Sequence, residues 1–168
     1  VDITIRRAIP EDVPAITRIY NYAIENTTAT FDIQPKTLEE RQRWFTEHTD
    51  EYPLIVAITD DTVVGWAEIK PFGTRRAYRY TVENAIYIDC DYQGKGIGTA
   101  LLGELIDLAS RREYHVILAL IVGGNESSLR LHYKFGFELV GVMHEVGRKF
   151  DKWLDIITLQ KTLPGPRL

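Results

Sequence analysis

Apolar positions change period repeatedly along the chain, and each change marks an element. "ITIRRAI" (3–9) alternates as a strand does, and beyond Pro10 the spacing lengthens. Val13, Ile16, Tyr20 and Ala23 recur at helical intervals, which predicts a helix running to about Glu25. Asp12 is placed to cap it, and Pro14 is tolerated in a first turn. "NTTATFDIQP" (26–35) has no period and reads as a loop carrying Phe31. Thr37 and Glu40 then form a T-x-x-E capping box for a second helix over 38–48. "PLIVAITDDTVVGWAEIKPF" (53–72) is two apolar runs about an Asp-Asp turn, a hairpin. "GTRRAYR" (73–79) is a basic, aromatic loop, and "TVENAIYID" (81–89) is a strand.

The second half is more regular. Ile97, Leu101, Leu105 and Leu108 form one apolar row, with Leu102, Ile106 and Ala109 beside it, so 97–112 is an amphipathic helix. "HVILALIV" (115–122), closed by a glycine pair, is a buried strand. "NESSLRLHYKFGF" (125–137) is a short helix capped by Asn125 or a nearby serine and stopped by Gly136. Residues 138–163 hold two further strands with a polar connection. The resulting order is strand, two helices, three strands, helix, strand, helix, two strands. That is a mixed sheet with helices on its faces, an α/β (α+β) fold.

Length and charge narrow the partners. A chain of 168 residues suits one domain, here 1–163, with "PGPRL" (164–168) as a frayed tail. A net charge of −4 argues against a nucleic-acid partner. Cys90 is the only cysteine, so a disulfide framework or a cysteine metal cluster within one chain is excluded, and a reducing, cytoplasmic compartment is expected. No apolar run approaches the roughly 18 residues of a membrane span, and no signal peptide opens the chain. The first residue is Val1, from which removal of an initiator methionine is expected. His48, His115 and His144 lack ligand spacing, so no metal site is expected. Arg111 and Arg112 favour a helix dipole.

"DYQGKGIGTALL" (91–102) carries the chemistry. Strand, glycine-rich turn and helix together present free backbone N–H groups and a positive helix end to a phosphate. The dinucleotide fingerprint G-x-G-x-x-G fails, because Gly94, Gly96 and Gly98 alternate strictly. The Walker loop fails too, because Lys95 is followed by Gly96. What remains is Q-x-x-G-x-G on Gln93, Gly96 and Gly98, which a simple tight turn also explains. About thirty residues on stands a second pattern, Asn125, Ser128, Leu131, Lys134, Gly136 and Phe137.

Together the two segments resemble the GNAT acyltransferase superfamily. The stretches "TATFD" (28–32), "RRAYRYTVENAIYI" (75–88), "RLH" (130–132) and "VGRKFDKWLD" (146–155) are similar to its phosphinothricin and methionine sulfoximine acetyltransferase group. The resemblance implies a mostly antiparallel central sheet with helices on both faces. It implies acetyl-CoA as co-substrate and transfer of acetyl to the α-amino nitrogen of a small amino acid with a second polar or anionic head. It further implies a homodimer pairing through the late strands, with no nucleic acid or membrane involved.

Roles follow from the same resemblance. Main-chain groups of Ile86, Tyr87 and Ile88 would hold pantetheine where the strand splays. The amides of Gln93, Gly94, Lys95, Gly96, Ile97, Gly98 and Thr99 would hold the pyrophosphate. Asn125 would bond pantetheine, or serve as a plain helix cap, or both. The amine must lose a proton before attack. Glu83 is the implied general base, acting through water, since partial burial in a strand disfavours its ionised form. A solvent-facing strand residue is the competing reading. His132 stands where many family members have tyrosine; it would protonate the leaving thiolate or merely position, or be an ordinary buried histidine. Arg75, Arg76 and Tyr78 would read the substrate's carboxylate and head, and Phe31 would wall the pocket. Trp66 and Phe72 are expected in the core. Cys90 is a poor nucleophile candidate, because no base partner is indicated. Two other functions stay open: acetylation of another amine such as a peptide terminus, and a regulator that binds acetyl-CoA without turnover.

Overall fold

The computed structural model describes residues 2–167; Val1, with the expectation resting on it, and Leu168, the last residue of the expected tail, lie outside them. The elements run β1 (Thr4–Arg7), α1 (Val13–Asn26), α2 (Leu38–Thr46), β2 (Leu54–Thr59), β3 (Thr62–Pro71), β4 (Thr81–Ile88), α3 (Ile97–Arg111), β5 (Val116–Val122), α4 (Glu126–Lys134), β6 (Glu138–Lys149) and β7 (Lys152–Thr162). The strands form one seven-stranded sheet in the order β1-β2-β3-β4-β5-β7-β6. Every pairing is antiparallel except β4 with β5. The order and class expected from the apolar pattern are found.

The strand period of two explains how one sheet serves two layers of helix. In β2, Ile55 and Ala57 pack with Leu101, Leu102 and Leu105 of α3. Their neighbours Leu54 and Val56 pack with Ile16 and Ile19 of α1. Both faces of β2 are covered, which is why it reads as an unbroken apolar run. The α3 stripe is buried as predicted, Leu101, Leu102 and Leu105 being fully enclosed. Asp60 and Asp61 turn the β2–β3 hairpin with φ of 47° and 58°, the paired left-handed conformations of a type I′ turn. Phe150 and Asp151 turn β6 into β7 in the same way, at 50° and 58°.

Three local expectations are corrected. Asp12 does not cap α1; it ends a short 3-10 turn (Pro10–Asp12), where its carboxylate accepts from the Ile9 N–H at 2.9 Å and from Arg6 at 2.6 Å. Phe72 is not core. It sits half-exposed past the end of β3, with its ring edge against Tyr78 at 5.1 Å. The tail is not wholly frayed, since Gly165 and Pro166 are half-buried and Gly165 lies over the His115 ring. By contrast the Thr37–Glu40 capping box forms as read, with bonds of 3.1 and 2.7 Å.

Candidate functional site

The parallel pair β4–β5 decides where a ligand can enter. Among the described residues, only Thr81, Val82 and Glu83 have partners on β5, namely Val116, Ile117 and Leu118. From Asn84 to Ile88 the strand stays paired to β3 and, among the described residues, has no partner on its other side. Extended backbone with free polar groups on one side is a template for another extended chain. Ile86, Tyr87 and Ile88 line a cleft of about 840 Å³ that opens from this gap.

The glycine turn closes the far end of the cleft. Gly94 and Gly96 hold φ of 74° and 85°, conformations in which a side chain would be strained. A Cβ on either would meet no protein atom within 4 Å and would project into open space. Gly98 differs: a Cβ there would come within 3.1 Å of Leu131 and 3.2 Å of Ile88, so its role is close packing of α3 against α4 and β4. Among the described residues, no acceptor takes the backbone N–H groups of Gln93 to Thr99. The first helical amides of α3 therefore point outward with the positive end of the helix dipole. Such a donor-lined cradle suits a pyrophosphate. Lys95 turns its ammonium back onto the Asp91 carbonyl at 2.9 Å. Asn125 lines the same cleft and also caps α4, accepting from the Ser128 N–H at 3.3 Å.

His132 lies behind the opened strand and is 3 % exposed. Its Nδ1 is 2.8 Å from the Ser128 carbonyl and its Nε2 is 3.0 Å from Asn84 Nδ2. A carbonyl only accepts and an amide nitrogen only donates, so the ring carries its proton on Nδ1. Burial lowers its pKa below the usual histidine value, which keeps it neutral.

Glu83 faces the opposite side of the sheet. Side chains alternate along β4, and Val82, Ile86 and Ile88 pack toward α3. Glu83 therefore shares a face with Ala85 and Tyr87. It is half-buried, and the Lys70 ammonium lies 3.6 Å from Oε1, a counter-charge that the sequence did not announce. Arg75, Arg76 and Tyr78 stand exposed at the 3-10 turn leading into β4, with neither guanidinium in an ion pair among the described residues. Phe31 is 36 % exposed, and its ring rests on Gly147 of β6, where a Cβ would fall 2.3 Å from it. Buried Lys149 fastens the same loop through Thr30 O at 3.0 Å. Glu83, Arg75, Arg76, Tyr78 and Phe31 all lie outside the lining of the 840 Å³ cleft.

A second cavity, of about 700 Å³, lies under α2 and had no sequence forecast. Tyr87 lines both cavities, and Ala85 and Lys70 extend the second toward Glu83. Its walls are Trp66, Trp44 and Tyr20, whose rings meet edge to face. Trp66 is thus core, as expected, and also a cavity wall. Arg41, 5 % exposed, lies 3.4 Å over the Trp44 ring and 4.7 Å over Tyr20. His48 reaches Glu68 at 2.6 Å from its Nε2. The only forward signal was the helical offset of Arg41 and Trp44 on α2 and of His48 two residues past its end, which does not tell a cavity wall from ordinary packing.

Against known proteins, the model of the acetyltransferase (GNAT) family matches residues 16–137. An L-methionine sulfoximine/L-methionine sulfone acetyltransferase of Pseudomonas aeruginosa is 40% identical, over 98% of this chain and 96% of its own. A phosphinothricin acetyltransferase of Sinorhizobium meliloti, solved in complex with acetyl-CoA, is 37% identical with a TM-score of 0.94, over 97% of this chain and 89% of that one. A structure described as a ribosomal-protein-alanine N-acetyltransferase of Brucella melitensis is 40% identical with a TM-score of 0.93, over 95% and 99%. With a donor-lined turn, a strand opened beside it and matches along almost its whole length, the chain belongs to the acetyltransferase (GNAT) family.

Proposed function

We propose that the protein transfers acetyl from acetyl-CoA to the α-amino group of a small amino acid of the methionine sulfoximine, methionine sulfone or phosphinothricin type. Attack is direct, within a ternary complex. One observation carries the reading: Glu83 is the last residue of β4 paired to β5, so a carboxylate stands where the strand opens. Acetyl-CoA, held along the gap and the glycine cradle, supplies a thioester carbonyl activated for attack. Ile86, Tyr87 and Ile88 hold it through main-chain groups, Gln93 to Thr99 hold its pyrophosphate, and Asn125 bonds the arm between.

Glu83 takes a proton from the substrate ammonium through water, freeing the lone pair. The amine nitrogen then bonds to the acetyl carbon while the carbon–sulfur bond breaks, and the departing thiolate takes the second proton, which the nitrogen sheds as it becomes an amide. His132 is better read as a strut than as that proton's source. Its one proton is directed to Ser128 O, and its Nε2 accepts from Asn84. It thereby braces β4 beside Glu83. Arg75 and Arg76, free of ion pairs at the entrance to β4, receive the α-carboxylate beside Tyr78, and Phe31 closes the loop side. The protein pairs as a homodimer through β6, an edge strand with Val140, Val142, Met143 and Val146 exposed. It works in the cytoplasm, a reading supported by its single, free cysteine.

The test is CoA release with phosphinothricin, methionine sulfoximine, methionine sulfone, ordinary amino acids and an alanine-terminated peptide. Turnover confined to the first three supports the proposal. The Brucella relative favours a second reading, acetylation of a peptide terminus, and preferred turnover of the peptide would select it. Glu83→Gln is expected to lower kcat by about 10²–10⁴-fold. An unchanged kcat refutes the base assignment.

A further inference from the structure

We infer that the cavity under α2 is the pocket for the side-chain head of the acceptor, with Arg41 as its buried anchor. This rests on the acceptor class proposed above and adds the site that reads it. Arg41 is 95 % enclosed, by its 5 % exposure, yet its guanidinium has no hydrogen-bond acceptor among the described residues. Nε and Nη2 are sealed and unpartnered. A buried cation without an acceptor is costly, and stacking on Trp44 and Tyr20 offsets only part of that cost.

The neighbouring carboxylates do not supply the missing acceptor. Glu68 is engaged by His48 at 2.6 Å. Asp32 accepts from the Tyr20 hydroxyl and faces the Lys36 ammonium at 3.7 Å. Glu47 and Glu51 stand exposed at the rim. Desolvation lowers the Arg41 pKa from its ordinary value, against the opposing pull of the nearby Glu68 and Asp32 carboxylates, neither of which hydrogen-bonds it. The group is thus ready for oxygens that arrive with a ligand.

The cavity's shape selects that ligand. At about 700 Å³ it falls within the range of small-molecule sites. Trp66 and Tyr87 give an apolar wall for a short methylene stem, and Lys36 and Lys70 add donors nearer the mouth. Lys70 lies 3.6 Å from Glu83, so the cavity opens at the ion pair of the base. A molecule whose head meets Arg41 and whose amine points back past Ala85 has its nitrogen on the face that Glu83 occupies. Oxygens on tetrahedral phosphorus or sulfur suit the head, because each accepts from a guanidinium with or without a full negative charge. The Arg75 loop then reads the carboxylate common to all amino acids, and Arg41 reads what distinguishes this class.

Two readouts test this. The first is the ratio of kcat/KM for phosphinothricin to that for norleucine, which has a similar stem and no head. Arg41→Met is expected to reduce the ratio on the order of 10- to 100-fold, as when hydrogen bonds from a charged donor are lost, leaving acetyl-CoA affinity unchanged. Arg41→Lys should recover part of the ratio, and Arg75→Ala should lower both kcat/KM values together. The second readout is direct occupancy. Trp44 and Trp66 line the cavity, while Trp153 is 59 % exposed on β7. In a Trp153→Phe background, phosphinothricin should change the emission saturably, and Arg41→Met should abolish the change. An unaltered ratio in a folded Arg41→Met protein, or no emission change at saturating phosphinothricin, overturns the inference and leaves the acetyltransferase reading standing. If no amine is turned over, the acceptor class fails, and the emission titration alone then upholds or overturns the pocket.

Discussion

The two cavities that meet at Tyr87 are built on opposite principles. The cleft along β4 and the glycine turn is made of main chain: a strand that loses its neighbour after Glu83, and amides from Gln93 to Thr99 without acceptors. The cavity under α2 is made of side chains from separate elements, Tyr20 on α1, Arg41 and Trp44 on α2, Trp66 on β3 and Tyr87 on β4. A main-chain site can recognise a ligand present in every turnover, because amides are available wherever the backbone bends suitably. A side-chain site can be altered one residue at a time, and so suits the part of the reaction that distinguishes one acceptor from another.

Changes that damage one cavity and spare the other sharpen this contrast. Among changes to packing and capping, the largest expected effect is that of Gly98→Val, which drives a branched side chain into Leu131 and Ile88, already 3.1 and 3.2 Å from a single Cβ. Overpacking of this kind costs about 1–3 kcal/mol. It displaces the strand that carries the open gap, so calorimetric affinity for acetyl-CoA should fall at least about tenfold. Retained affinity would mean that the cleft does not depend on close packing of α3. Smaller is Thr37→Ala, which removes the cap of α2 at a cost of about 1 kcal/mol. Melting should drop by roughly 2–4 °C, with acetyl-CoA affinity intact and acceptor KM raised, since α2 carries Arg41 and Trp44. An equal loss on both sides would deny the separation.

The smallest expected effect is a slope. Buried His132 titrates below its unfolded value of about 6.5. Between the two values the unfolded chain binds more protons, so stability rises with pH. That stabilisation is complete above about pH 6.5 and is lost as pH falls through the lower, folded value. Urea unfolding of the wild type at pH 5 and 7.5 should show the difference, and His132→Gln should shrink it. A variant with the same slope would place the titrating group elsewhere.

These contrasts also explain what could be read beforehand. The strand and helix order was legible because each element advertises its period, as the Ile97–Leu108 row does, and because Asp60-Asp61 and Thr37–Glu40 carry local turn and cap chemistry. The glycine turn was legible for the same reason, Gly94, Gly96 and Gly98 lying close together in the chain. Asp12 misled because Arg6 and the Ile9 N–H compete for its carboxylate, partners that no helical pattern reveals. Phe72 misled because an aromatic at a strand end can pack on a loop ring instead of a helix. The Arg41 cavity was invisible because its walls lie on elements spread from Tyr20 to Tyr87, and nothing local to any of them signals the others. The tautomer of His132 likewise depends on Asn84, which stands 48 positions away.

The strand that parts from its neighbour has a consequence for how this chain tolerates sequence drift. Binding groups that belong to the peptide backbone are supplied by every amino acid except proline, which lacks the N–H. Apolar exchanges at Ile86 or Ile88 alter the packing behind β4 while the amides in front of it stay as they were. On the proposed reading, the cofactor's half of the enzyme is therefore inherited as a shape, and the acceptor's half as particular residues. Laboratory or natural variants should retrain the second far more readily than they lose the first.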